Sequence, residues 1–264
     1  MKTRIAIPVD EIFSGLIVNK EEVCKKYDVR IFELDEDKCF ELYLSNKADV
    51  ILISPLTYGL NIGKSDSMII PASALSLIGY TEIASIIFKK ELKTFETIAT
   101  QFPESYLFSI SKLLLAERYD MLPKTLIVQG TESKLLENAD SAFIRGKSKE
   151  NFNSLDIGEE WYDTFEMPLP LAFWICKSEE YPEDIINILK ELSNFDKTKE
   201  INIFEETGKY SELPVRQGII SCEFSKEFEE ALAQVFHFLY YHQLIGDIPE
   251  IKILGRDYTT AVSG

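Results

Sequence analysis

The sequence predicts an α/β fold in which one compact lobe is inserted into another. Short β-rich runs alternate with polar segments of helical length through the first two thirds of the chain, and the last quarter carries helical periodicity instead. Two continuous β-type runs, residues 83–88 and 169–175, bracket a central block in the manner of strands that leave one lobe and return to it. The expected lobes are residues 1–88 with 178–264, and residues 89–177. At 264 residues the chain is long enough for both, since a domain takes roughly 100 to 200 residues.

The elements follow in order. Strands are expected at 4–8, 30–33, 50–54 and 68–72, where β-branched and apolar residues cluster between polar stretches. Further strands fit 83–88, 97–100, 125–129 and 142–144, with helices between them at 109–117 and 133–138. Residues 183–192 put Ile185, Ile188, Leu189 and Leu192 on one helical face. Residues 224–244 do the same with Phe228, Leu232, Val235, Phe236 and Leu239, so the C-terminal part is expected to be mostly helical.

Composition restricts the partners. The formal net charge is −16, with 45% hydrophobic residues, a balance that is too apolar for disorder. Such a body repels phosphate backbones and anionic bilayers unless it carries a concentrated basic patch. The densest basic stretches, Lys25-Lys26, Lys89-Lys90 and Arg145 to Lys149, all lie beside acidic residues, so neither nucleic acid nor membrane is expected as a partner. Asp10 and Glu11 fall where the apolar core of a secretory signal would lie, and no apolar run approaches the roughly 18 residues of a membrane span. A cytoplasmic location is expected.

Four cysteines (Cys24, Cys39, Cys176, Cys222) are widely spaced, and the only histidines are His237 and His242. No metal site is expected, and Cys176 and Cys222 read as buried, reduced thiols. The motifs of serine hydrolases, P-loops and dinucleotide-binding turns are absent.

Polar residues at strand ends remain as candidates. Ser54 and Pro55 follow the apolar run 50–53 as N-cap and first helical residue. The free N–H groups of such a turn suit a carboxylate ligand, and they equally suit a plain cap. Ser85 interrupts an apolar strand and reads either as an internally satisfied serine or as a hydroxyl facing the cleft between lobes. The block Asp156-Ile157-Gly158-Glu159-Glu160-Trp161-Tyr162-Asp163 reads as a helix start with acidic residues complementing the dipole. Glu159 and Glu160 are adjacent on that helix and cannot flank one bond.

Residues 156–163 with 167–174 resemble the "D-[LI]-G-x-E-W … P-x-x-x-A-x-W" signature of the chorismate dehydratase family of the futalosine route to menaquinone. Residues 49–58 are similar to that family's "D-x-x-L-I-S" strand, and residues 79–86 to its "G-x-V-x-S-V" crossing, with Ser85 on the active-site serine. The resemblance implies a two-lobed, type II periplasmic-binding-protein-like fold. It implies loss of water from chorismate to give 3-(1-carboxyvinyloxy)benzoate, without metal or organic cofactor. In such a lyase the substrate's own enolpyruvyl carboxylate supplies the base, which suits a chain with no evident catalytic histidine.

By the same register Glu11 falls on the family's active-site Asn, and Glu11 and Ser85 become the candidate catalytic residues. Ser54, Pro55, Ser105, Arg145 and Lys147 become candidate contacts for a small anionic carboxylate in the inter-lobe cleft. An ionised Glu11 would oppose a dianion by up to ~4 kcal/mol per charge at 4 Å and an effective dielectric near 20. A non-catalytic carboxylate-binding protein of the same fold is therefore the alternative expectation.

Overall fold

The computed structural model describes residues 2–90, 95–150, 152–178, 181–193, 199–203 and 216–256. These residues form two compact units, the first made of 2–75, 172–193 and 222–256 and the second of 76–171, 199–203 and 216–221. Residues 76–88 and 199–203, read from sequence as first-lobe chain, thus belong to the second unit, as do 216–221, while 172–177 belong to the first.

The chain opens with β1 (Thr3–Pro8), a 3-10 segment (Glu11–Leu16), α1 (Lys20–Lys26), β2 (Val29–Leu34) and α2 (Glu36–Leu44). It continues through β3 (Val50–Ile53), α3 (Pro55–Leu60) and β4 (Ser67–Gly79). β1 pairs in parallel with β2 on one side and β3 on the other. All four residues of β3 are buried, as befits a central strand covered on both faces.

The second unit contains β5 (Ala84–Phe88), β6 (Thr97–Thr100), α4 (Tyr106–Tyr119), β7 (Lys124–Ile127), α5 (Glu132–Asn138), β8 (Ser141–Arg145), β9 (Asn153–Asp156) and α6 (Ile157–Phe165). Its sheet runs β7-β6-β8-β5-β9. Ile87, Ala99, Leu135, Leu136 and Ala142 close one core beneath α5, with Leu126, Val128 and Phe152 packed against them.

β10 (Leu169–Lys177) then returns to the first unit, where its residues 173–176 pair antiparallel with β3. After α7 (Ile185–Leu192) come β11 (Lys199–Ile203), β12 (Arg216–Glu223) and α8 (Lys226–Tyr241). The larger sheet has the order β11-β12-β4-β10-β3-β1-β2. By chain continuity β4, β10 and β12 each begin in one unit and end in the other. The run 169–175 is one such passage, whereas 83–88 lies within the second unit as β5 because the 13-residue β4 has already carried the chain there.

The helical periodicities describe real faces. Ile185, Ile188, Leu189 and Leu192 of α7 are buried, as are Phe228, Leu232, Val235, Phe236 and Leu239 of α8. The strands β11 and β12 correct the mostly helical expectation for the C-terminal part. β12 shows no strict in-out alternation, because most of its residues are only partly covered, so no period-2 signal reaches the sequence.

Candidate functional site

β6, β7 and β8 are parallel, β5 is antiparallel to β8, and β9 is antiparallel to β5. The carboxyl ends of β6, β7, β8 and β9 and the amino end of β5 therefore share one edge of the second unit's sheet. Open α/β sheets hold their ligands at such an edge. Four candidates meet here: Ser85 on β5, Ser105 as N-cap of α4, Arg145 ending β8, and Lys147 just beyond it. The register sets Ser85 opposite Ile144 on one side and opposite Asp156 on the other.

Hydrogen bonds knit the turn after β8 onto the entrance of β5. The Gly146 amide donates to the Ile83 carbonyl at 2.8 Å, and the Ser85 hydroxyl donates to the Gly146 carbonyl at 3.0 Å. Lys147 Nζ donates to Glu82 Oε1 at 2.9 Å, and the Tyr80 hydroxyl donates to the same oxygen at 3.0 Å. Glu82 has φ +57, a left-handed conformation that a non-glycine residue adopts only when its surroundings impose it. The Glu82 amide is held by Asp156. That carboxylate, 2% exposed, accepts from the amides of Thr81 (3.2 Å), Glu82 (2.8 Å) and Glu159 (3.0 Å).

The charges at this edge are largely matched. Burial pushes the Glu82 carboxyl up, but Lys147 and the Tyr80 hydroxyl outweigh it and hold the group below its ordinary range. Lys147 is held above its ordinary range by the hydrogen bond to Glu82. Burial raises Asp156, with the backbone amides opposing. Burial also raises Glu159, against the nearby Arg216 at 3.3 Å. The Arg145 guanidinium lies 4.6 Å from the centre of the Phe102 ring, a cation–π arrangement that keeps it at the edge of the sheet. Ser105 caps α4 without a side-chain hydrogen bond to the helix.

In the first unit, parallel β1 and β3 bring Glu11 and Ser54 to the carboxyl edge of that sheet. Glu11 opens the 3-10 segment and is exposed, behind an Asp10 cap that accepts from the Ile12 amide. Ser54 is the N-cap of α3, its hydroxyl accepting from the Thr57 amide at 3.2 Å, with Pro55 at the first helical position. The Ser54 amide donates to Glu36 Oε1 at 2.6 Å, so a carboxylate of the chain itself already answers this helix start.

Other chemistries find little here. Burial pushes the thiols of Cys39 and Cys176 up to about 12 and raises that of Cys222, so none is poised as a thiolate. All four cysteines are free, with Cys39, Cys176 and Cys222 buried. Among the described residues no three metal-ligating side chains gather, and no helix is long and apolar enough to cross a membrane. Two cavities of about 300 and 370 Å³ open on the first unit, but their walls contain none of the candidate residues. Sequence reasoning missed Glu82 and took Asp156 for a helix start alone. The available signal was the short spacing from Thr81 and Glu82 to Ser85 within one segment.

A family model described as menaquinone biosynthesis matches residues 9–199. No curated protein matches the sequence. Among solved structures, protein AF1704 from Archaeoglobus fulgidus is 14% identical with a TM-score of 0.56, over 92% of this chain and 98% of that one. The periplasmic aliphatic sulphonate binding protein SsuA from Escherichia coli is 11% identical with a TM-score of 0.55, over 100% and 97%. At these identities the likeness concerns the fold, which is the periplasmic-binding-protein-like α/β fold expected from the sequence.

Proposed function

Since the chain belongs to the menaquinone-biosynthesis family, we propose that it is a cytoplasmic hydro-lyase that removes water from chorismate to give 3-(1-carboxyvinyloxy)benzoate. The reaction takes a hydroxyl and a neighbouring hydrogen from the ring, releases them as water and leaves the ring aromatic. The observation that carries the reading is the family match over residues 9–199, within which Ser85, Arg145 and Lys147 lie at one carboxyl edge.

In this reading Arg145 and Lys147 face the carboxylates of the substrate, and Ser105 and the start of α4 add uncharged donors. Ser85 turns its hydroxyl from the Gly146 carbonyl to a substrate oxygen and stabilises the departing group. Among the carboxylates described at this edge, Asp156 is enclosed, Glu82 is tied to Lys147 and Glu159 is paired with Arg216. That supports an elimination in which the substrate's own carboxylate takes the proton.

A second reading, a carboxylate-binding protein without turnover, is favoured by the carboxylate of Glu82, which stands at the same edge paired with Lys147. Purified protein incubated with chorismate separates the two. Formation of the enolpyruvyl benzoate, followed by absorbance and mass, is the expected outcome; saturable binding with unchanged chorismate would sink the lyase reading. Ser85→Ala is expected to lower kcat/KM by about a hundredfold, and an unchanged value would remove Ser85 from the mechanism.

A further inference from the structure

We propose that Asp156 is a positioning residue whose buried carboxylate clamps the 80–82 bend and, through Glu82, sets where Lys147 stands beside Ser85. The route is short and continuous. Asp156 accepts from the Thr81 and Glu82 amides, Glu82 accepts from Lys147, and Gly146 is bonded both to the Ile83 carbonyl and to Ser85. Asp156 is also the direct strand partner of Ser85 across β5 and β9.

Three observations separate this role from that of an ordinary helix cap. First, besides the amides that serve α6, the carboxylate accepts two bonds from residues more than 70 positions away in sequence. Second, the bend is pressed onto the helix start. A Cβ at Gly158 would come within 2.6 Å of the Gly79 carbonyl and 2.8 Å of Thr81 Oγ1, so the approach requires glycine there. Third, the bend is held against local preference. Glu82 has a positive φ of the kind only glycine takes freely, and Thr81 Oγ1 is buried without a hydrogen-bond partner. A conformation with those costs persists because the surrounding bonds over-determine it.

The experiment compares Asp156→Ser with Asp140→Asn. A serine at 156 keeps the N-cap of α6 but is too short to reach the bend. Asp140 is the matched control: its carboxylate also accepts two backbone amides and a hydroxyl, from Glu96 and Thr97, but at the opposite edge of the same sheet. The primary readout is acylation of Lys147 by an amine-selective reagent, resolved by peptide mass. Its exposed amine is paired with Glu82 at 2.9 Å, so loss of the clamp is expected to raise its labelling at least about threefold in Asp156→Ser and to leave it unchanged in Asp140→Asn. Should Asp156→Ser fail to fold, Gly158→Ala displaces the bend by a different route and carries the same expectation.

The second readout rests on the dehydratase reading: kcat/KM for chorismate is expected to fall about tenfold in Asp156→Ser, with kcat taking most of the loss. Wild-type labelling of Lys147 in the folded Asp156→Ser protein overturns the proposal, whatever happens to turnover. Raised labelling in a protein that never turns over chorismate upholds the clamp and sinks the dehydratase reading instead.

Discussion

At position 11 an ionised carboxylate stands where the resembled family carries an amide, and the structure leaves that side chain exposed at the start of the 3-10 segment. Exposure places its repulsion of an anion nearer the aqueous limit, about 1 kcal/mol, than the interior one. Glu11→Asn is therefore expected to tighten binding of an anion at the first unit's carboxyl edge about fivefold, read by titration calorimetry. An unchanged Kd would mean that Glu11 does not face the ligand. Ser85 shows how far single residues could be read. That a serine interrupts an apolar strand is visible in the sequence, but its bond to the Gly146 carbonyl depends on a turn 61 residues later. The sequence readings of Ser54 had a similar limit: the cap was predictable from the Ser-Pro step, whereas Glu36 at the Ser54 amide comes from a different helix.

Among the elements, those with a strong local period were legible and those shaped by distant partners were not. α7 and α8 bury the apolar faces that their spacing announces. β12 has no such pattern, and what fixes it is a close approach: the Tyr80 amide donates to the Gln217 carbonyl at 2.9 Å, and a Cβ at Gly218 would lie 1.9 Å from the Tyr80 carbonyl oxygen. Backbone cannot yield there as a flexible side chain would. Gly218→Ala is expected to destabilise the second unit by about 2 kcal/mol and to lower the thermal midpoint by about 5 °C. A midpoint within one degree of the parent, by calorimetry, would show that β12 does not pack against Tyr80 in solution.

For the whole molecule the governing quantity is charge. At −16 the folded chain repels itself, and screening relieves that repulsion. Raising sodium chloride from about 20 to about 200 mM, a threefold change in Debye length, is expected to raise the thermal midpoint. A fall would show that attractive surface pairs outweigh the excess of acid. Acid acts on individual groups with opposite signs. In Asp140, burial pushes the carboxyl up, but the Glu96 and Thr97 donors outweigh it and hold it below the ordinary 3.8. The stability it contributes is present above that value and is lost as pH falls through the lower folded value. Asp156 is raised, chiefly by burial, so its term favours the folded state more as pH falls through its raised value. Asp140→Asn is thus expected to flatten the loss of stability below about pH 4, seen in urea midpoints; an unchanged slope would refute the sign. Composition and periodicity alone determined the α/β class and the helical faces of α7 and α8, because burial pattern is a property each segment carries with it. The carboxyl edge of the second unit, with Asp156, Glu82, Lys147 and Ser85 in one network, was decided by tertiary structure, since its bonds join residues that only strand register brings within 3 Å or so.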